Sequence, residues 1–211
     1  DVIWVKYHME KKVPGVSYYS WFFDSDGTFT PAMMIDREEF TDMENRGPAY
    51  FVKYNELLSY LLDQCSGIPT FATVDVTLND AHTVANIKAK VESQVKEMPH
   101  QKSLRMTLLA VEDSVELTHG LDKENGIVRK FINGAWGDQV DVSNHTDSIT
   151  ANLDIDPSWN INNMRIVAFL SNYDSSQPLN CSVFNSAQCQ LGITDGIYQT
   201  TVQKLRPTVF C

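Results

Sequence analysis

Beyond Pro69 the apolar residues recur at every second position, and that alternation commits most of the chain to antiparallel strands. Residues 71–78 read F-A-T-V-D-V-T-L and residues 84–95 read V-A-N-I-K-A-K-V-E-S-Q-V, with Asn79-Asp80 as the turn between them. Ala85, Ala89 and the Lys/Glu pairs of the second run also favour helix. The alternation of Ile87, Ala89 and Val91, then Val95, decides for strand. Five further β-rich runs follow at regular spacing, at 104–111, 127–132, 149–155, 164–170 and 182–191. About seven short strands separated by turn signals predict an antiparallel sandwich.

Upstream of Pro69 the pattern differs. Residues 54–64 place Leu57, Leu58, Leu61 and Leu62 on one helical face, with Asn55 as a cap, and Ser66-Gly67-Ile68-Pro69 ends the helix. Residues 2–8 read as a strand, the aromatic-dense 17–23 as a short helix, and 41–49 as a loop. Thr30-Pro31 leads into an apolar strand over 32–37. The expected class is therefore α+β. An N-terminal unit spans 1–67, a β-sandwich 68–193, and an unassigned tail 194–211.

Residues 127–138, I-V-R-K-F-I-N-G-A-W-G-D, are the most distinctive stretch. On chemistry alone they read as a hairpin turning at Asn133-Gly134, with Trp136 covering the end of a sheet beside a second turn signal at Gly137-Asp138. A V-E-D strand end at 111–113 precedes them, and I-V-A-F-L at 166–170 and V-F-N-S-A at 183–187 follow. In this order the motifs resemble the Omp twenty-eight related outer-membrane family of Bacteroidetes, most clearly over about 70–192. Lys123-Glu124-Asn125-Gly126 departs from that family's pattern, where a His-Asn-His-like approach to the arginine is usual. The resemblance implies a partial thioredoxin-like unit before the sandwich, with Pro31 in the place of a cis-proline. It also implies an exported envelope or surface lipoprotein, held at the membrane by a lipid anchor outside these residues, with an adhesion or ligand-binding role.

Composition narrows the partners. With 27 acidic against 17 basic residues in 211, the formal charge of −10 argues against nucleic acid, whose phosphates it would repel. No apolar run approaches the ~20 residues that cross a bilayer as a helix. Asp1-Val2-Ile3-Trp4-Val5 has no basic leader, which is expected of a processed or truncated chain that starts inside a strand. The expected partner is an unidentified surface ligand or envelope protein.

The candidate chemistries are weighed against plainer readings. Thiol–disulfide exchange needs a low-pKa thiolate and usually a resolving cysteine close by. Cys65, Cys181, Cys189 and Cys211 contain no C-x-x-C, are spaced too widely for zinc, and are expected to be free buried thiols. Cys181 and Cys189 flank one strand, separated along it by ~26 Å. The rival to a non-catalytic reading is an envelope thiol–disulfide oxidoreductase that lacks its active-site half. The five histidines make no i, i+4 pair. His119, near Glu112, Asp113 and Glu116, reads as a solvated turn rather than an acid–base group. Asp24-Ser25-Asp26-Gly27 resembles the start of a calcium loop, but Ile35 stands where its glutamate belongs. No catalytic, cofactor or metal residue is expected.

Two classes of site residue remain. Trp21 and Trp159 are expected to be partly exposed and to contact ligand, since tryptophan is rarely fully buried and marks recognition surfaces. Ser114 and Ser148, each in an Asp-Ser-apolar triplet, match the O-glycosylation pattern that the resemblance implies. Ser148 is expected in a polar loop and Ser114 partly shielded by its sheet, so that Ser148 is the better acceptor.

Overall fold

The computed structural model describes residues 3–7, 32–37, 45–46, 49–51, 70–98, 100–118, 122–177 and 180–192. These residues are mostly antiparallel β-sheet, and the helical element described in full among them is a 3-10 turn at Ile161–Asn163. The helices expected at 17–23 and 54–64, Pro31, and the boundary at 66–69 lie outside the described residues.

Eleven strands follow in chain order: β1 (Ala32–Met33), β2 (Asn45–Arg46), β3 (Ala49–Phe51), β4 (Thr70–Leu78), β5 (Val84–Ser93), β6 (Leu104–Glu112), β7 (Ile127–Phe131), β8 (Asp138–Gln139), β9 (Thr146–Asp154), β10 (Met164–Asn172) and β11 (Val183–Gln190). The first three form a small sheet in the order β1-β3-β2, so the expected loop at 41–49 contains strand. The larger sheet runs β11-β10-β6-β7, with β8 also on β6, and the third sheet runs β4-β5-β9.

Alternation explains why the last two sheets stack. Along β5, Ala85, Ile87, Ala89 and Val91 are buried, while Asn86, Lys88 and Glu92 are exposed. The inward residues of β4 and β5 share one core with Leu104, Met106, Leu108 and Ala110 of β6 and Met164, Ile166, Ala168 and Leu170 of β10. Two sheets facing each other across one apolar layer make a sandwich. Asn79 sets the β4–β5 turn, its side-chain oxygen accepting from the amides of Thr83 and Val84 at 2.8 and 3.0 Å. The strand expected over 84–95 is thus confirmed, ending at Ser93.

The larger sheet is buried on both faces, which is why all nine residues of β10 are covered. Leu109, Val111, Val128, Phe131, Val167 and Phe169 form a second cluster on its outer face, covered by Ile3, Val5, Tyr7 and Val183. Residues 3–7 add to the β7 edge through one parallel bridge, Lys6 to Ile127, rather than the full strand expected. Lys6 N donates to Gly126 O at 2.6 Å and Val128 N to Lys6 O at 2.9 Å.

Candidate functional site

The stretch expected to be a hairpin is something else. Both β7 and β8 pair with β6, at Leu109–Glu112 and at Arg105–Met106, and they are two pieces of one interrupted strand. Between them the chain loops out, and the side-chain amide of Asn133 fills the gap in the ladder. Its oxygen accepts from Leu108 N at 2.9 Å, and its nitrogen donates to Met106 O at 2.9 Å and to Asp138 Oδ2 at 2.9 Å. A carboxamide carries one acceptor and two donors, so it can stand in for a peptide unit where the backbone has left. Gly137 closes the loop at φ 65°, with Met106 O only 2.2 Å from where a Cβ would sit.

Trp136, carried out on this loop, does cover one end of the sheet. Its ring lies 4.7 Å from that of Tyr173, with Arg37 5.5 Å from its centroid and 4.9 Å from that of Phe169. Arg105 lies over Tyr173 and donates to Gly137 O at 3.1 Å. Arginine over aromatic faces is attractive through the ring quadrupole. The cluster ties residue 37 to the sandwich, as does Val183 N donating to Asp36 O at 2.7 Å.

At the opposite end lies the V-E-D strand terminus. A bulge at Arg129, between the pairs Ala110–Lys130 and Val111–Val128, turns that side chain toward Glu112 at 3.0 Å. Both are nearly buried, at 14% and 8% side-chain exposure. Glu112 Oε2 has no aligned hydrogen bond, so the contact is an ion pair; Oε1 accepts from Asn160 N at 2.8 Å. Trp159 covers Arg129 at 5.7 Å and packs on the main core. Around the corner, Asp113 accepts from Gly126 N at 2.7 Å and faces Arg165 at 3.5 Å. Arg165 reaches on to Gln188 Oε1 and to Trp4 O, each at 2.8 Å. Nearly every charged or polar group of the motif is therefore bound to another part of the fold.

Of the residues singled out from sequence, Trp159 is partly exposed at this rim, and Trp21 lies outside the described residues. Both expectations about the serines are corrected. Ser148 sits on β9 opposite Lys90 and not in a loop, although it is exposed as a loop residue would be. Ser114 is not shielded: it stands exposed in a bend at φ 58°, where Asn125 Oδ1 accepts its amide at 2.9 Å. Three histidines, His82, His100 and His145, hold positive φ at exposed turns, a conformation in which histidine is over-represented. His8 and His119 lie outside the described residues. Cys181 and Cys189 are free and buried, and burial pushes both thiols up. The Ser176 hydroxyl and amide and the Asn180 amide hold Asp174 at about 2. Among the described residues no three of His, Cys, Asp and Glu come together as a metal site, and no helix is long and apolar enough to cross a membrane. Sequence reading missed Trp4, which is 38% exposed and bound through its carbonyl to Arg165.

The architecture is similar to that of HBP35 of Porphyromonas gingivalis, with a TM-score of 0.61 over 86% of this chain at 15% identity. The chain spans 58% of the length of that protein. A domain of the outer membrane lipoprotein Omp28 from Porphyromonas gingivalis matches 58% of this chain at 15% identity, covering 86% of that domain with a TM-score of 0.40. No family model and no curated protein matches the sequence. The likeness to HBP35 is one of fold.

Proposed function

We propose that this chain is a non-catalytic module of a Bacteroidetes cell envelope, built to hold a rigid β-sandwich for adhesion or ligand binding. The observation that carries this reading is the fate of the motif residues. Glu112, Asp113, Arg129, Asn133 and Asp138 hold backbone amides, carbonyls and one another. A motif spent on holding strands together suits a scaffold that presents a surface. The motif order, the envelope family it resembles and a fold shared with a Porphyromonas gingivalis protein support the location. A fold match over 86% of the chain extends beyond the sandwich. A partial thioredoxin-like unit in residues 1–67 is part of this proposal and rests on the family resemblance and on Thr30-Pro31 in the sequence.

The oxidoreductase reading draws nothing from Cys181 or Cys189, since a buried thiol with a raised pKa is a poor nucleophile. Trp159, partly exposed over Arg129, is the aromatic we assign to ligand contact. Fractionation of native cells, with protease added to intact cells, tests the proposal. The protein is expected in the envelope fraction; recovery in the cytosol, or insulin reduction by the purified chain, would overturn it.

A further inference from the structure

The sandwich has one long edge that no described residue pairs with, the outer edge of β9. The edge of β4 is met by β11, where Asn185 Oδ1 accepts from Ala72 N at 3.1 Å. β9 is nine residues long, without bulge or proline, and among the described residues pairs with β5 alone. An open edge of this kind is a template for another strand.

Its hydrogen-bonding pattern follows from the two ends of the β5–β9 ladder. Ile155 N donates to Thr83 O and Ser93 N to His145 O, each at 2.9 Å. In an antiparallel ladder the bonded pairs alternate. The odd-numbered residues of β9 therefore bond to β5, and Thr146, Ser148, Thr150, Asn152 and Asp154 turn their amides and carbonyls outward. All five side chains are exposed. One outward donor is already engaged, because Ser148 N donates to Asp147 Oδ1 at 2.7 Å, while Asp147 Oδ2 accepts from Asp141 N at 2.8 Å. The Asp147 carboxylate thus guards the first half of the edge and leaves Thr150, Asn152 and Asp154 open.

We propose that this open half pairs antiparallel with the same segment of a second copy, about a two-fold axis through Asn152. Thr150 then faces the partner's Asp154, and Asn152 faces its own symmetry mate. About six backbone hydrogen bonds cross the interface, and none calls on Ser148 N. Charge is compatible with this register, although Lys88 also has Asp75 directly opposite it on β4. On the outer face Lys88 lies opposite Thr150 across β5–β9, so the partner's Asp154 falls in the same row, two strand spacings or about 10 Å away. The side chains of lysine and aspartate together span that distance. Lys88 and Asp154 are both exposed and form no ion pair among the described residues. The shift that pairs Thr150 with the partner's Asn152 would put the partner's Asp154 in the row of Lys90, but it calls on Ser148 N, which Asp147 already holds. Sliding the copies to overlap all nine residues would instead bring the partner's Asp154 into the row of Thr146 and Glu92, acid near acid, and would displace the Asp147 guard.

The test is sedimentation of the full chain, under reducing conditions, as concentration is raised into the millimolar range. The mass is expected to rise from one chain towards two. Asn152→Pro removes an outward amide that β5 does not use, so it should hold the protein at one chain while leaving its unfolding midpoint nearly unchanged. Should that variant fold poorly, Asn152→Lys blocks the same edge without altering the backbone. Lys88→Glu should weaken association, and Lys88→Glu with Asp154→Lys should restore it. A chain that stays single at every concentration, or a dimer indifferent to both Asn152 variants, would sink the proposal.

Discussion

Two glycines of one loop show how little the residue type says without its surroundings. Gly134 and Gly137 both hold positive φ, at 87° and 65°. A Cβ on Gly134 would meet nothing within 4 Å, whereas on Gly137 it would meet the Met106 carbonyl oxygen at 2.2 Å and Thr107 Oγ1 at 2.7 Å. Gly134→Ala is expected to cost about 1 kcal/mol, the price of a left-handed L-residue. Gly137→Ala must also push the loop off β6, breaking the support that Gly137 O gives Arg105, and should cost more than ~3 kcal/mol. Urea midpoints of the two variants check the order. Equal losses would mean that the loop moves freely on the sheet. Sequence marked both glycines as turn residues. It could not separate them, because the contact that does so is made by a carbonyl some thirty positions earlier in the chain.

At the scale of elements, legibility followed burial. Val84–Ser93 was readable as a strand because one face meets the core and the other meets water. Met164–Asn172 was readable as an apolar run because both faces are covered. The start of β9 was not, since the outward residues Thr146 and Ser148 are polar and their inward neighbours only half-buried, a composition shared with loops. Nor was the interruption between β7 and β8. Asn133-Gly134 is a hairpin signal, and only the empty ladder position on β6 reveals that the Asn133 side chain replaces a peptide unit.

The bulge at Arg129 was hidden for a related reason. Strict alternation would put Val128 and Phe131 on opposite faces, yet both join the outer cluster, and the extra residue is what turns Arg129 to Glu112. The pair joins β6 to β7 in a nearly dry site, so removing one partner leaves a charge stranded. Arg129→Ala is expected to cost about 3 kcal/mol. Glu112→Ala should cost at least as much, because Asn160 N loses its acceptor too. The double variant should cost clearly less than the two losses added together. Strict additivity in denaturant titrations would show that solvent screens the pair.

For the molecule as a whole, the consequential feature is that one sheet serves two cores. Its inner face is closed by β4 and β5, near neighbours in sequence whose alternation was legible. Its outer face is closed in part by Ile3, Val5 and Tyr7, more than a hundred positions before β7, with Tyr7 stacked 5.8 Å from Phe131. That long-range closure had no local signal. The two cores share the backbone of β6 and β10 but differ in what holds them. The inner one is sealed by strands in continuous ladders, while residues 3–7 join the sheet by one parallel bridge, the Arg165 contact to Trp4 O, an exposed Lys6–Glu124 ion pair and the packing of Ile3, Val5 and Tyr7. The outer cover should therefore open first. Val5→Asp places a carboxylate against Leu109, Val111 and their neighbours, which costs more than the bridge can offset. The expected result is selective loss: residues 3–7 detach, an apolar dye binds the uncovered face, and amides of β7 exchange faster. The β4–β5 amides should stay protected until the sandwich unfolds. Hydrogen exchange read strand by strand separates the outcomes. If β5 and β7 lose protection together in the variant, the two cores form one cooperative unit, and the segment near the N-terminus is as integral to the fold as any strand.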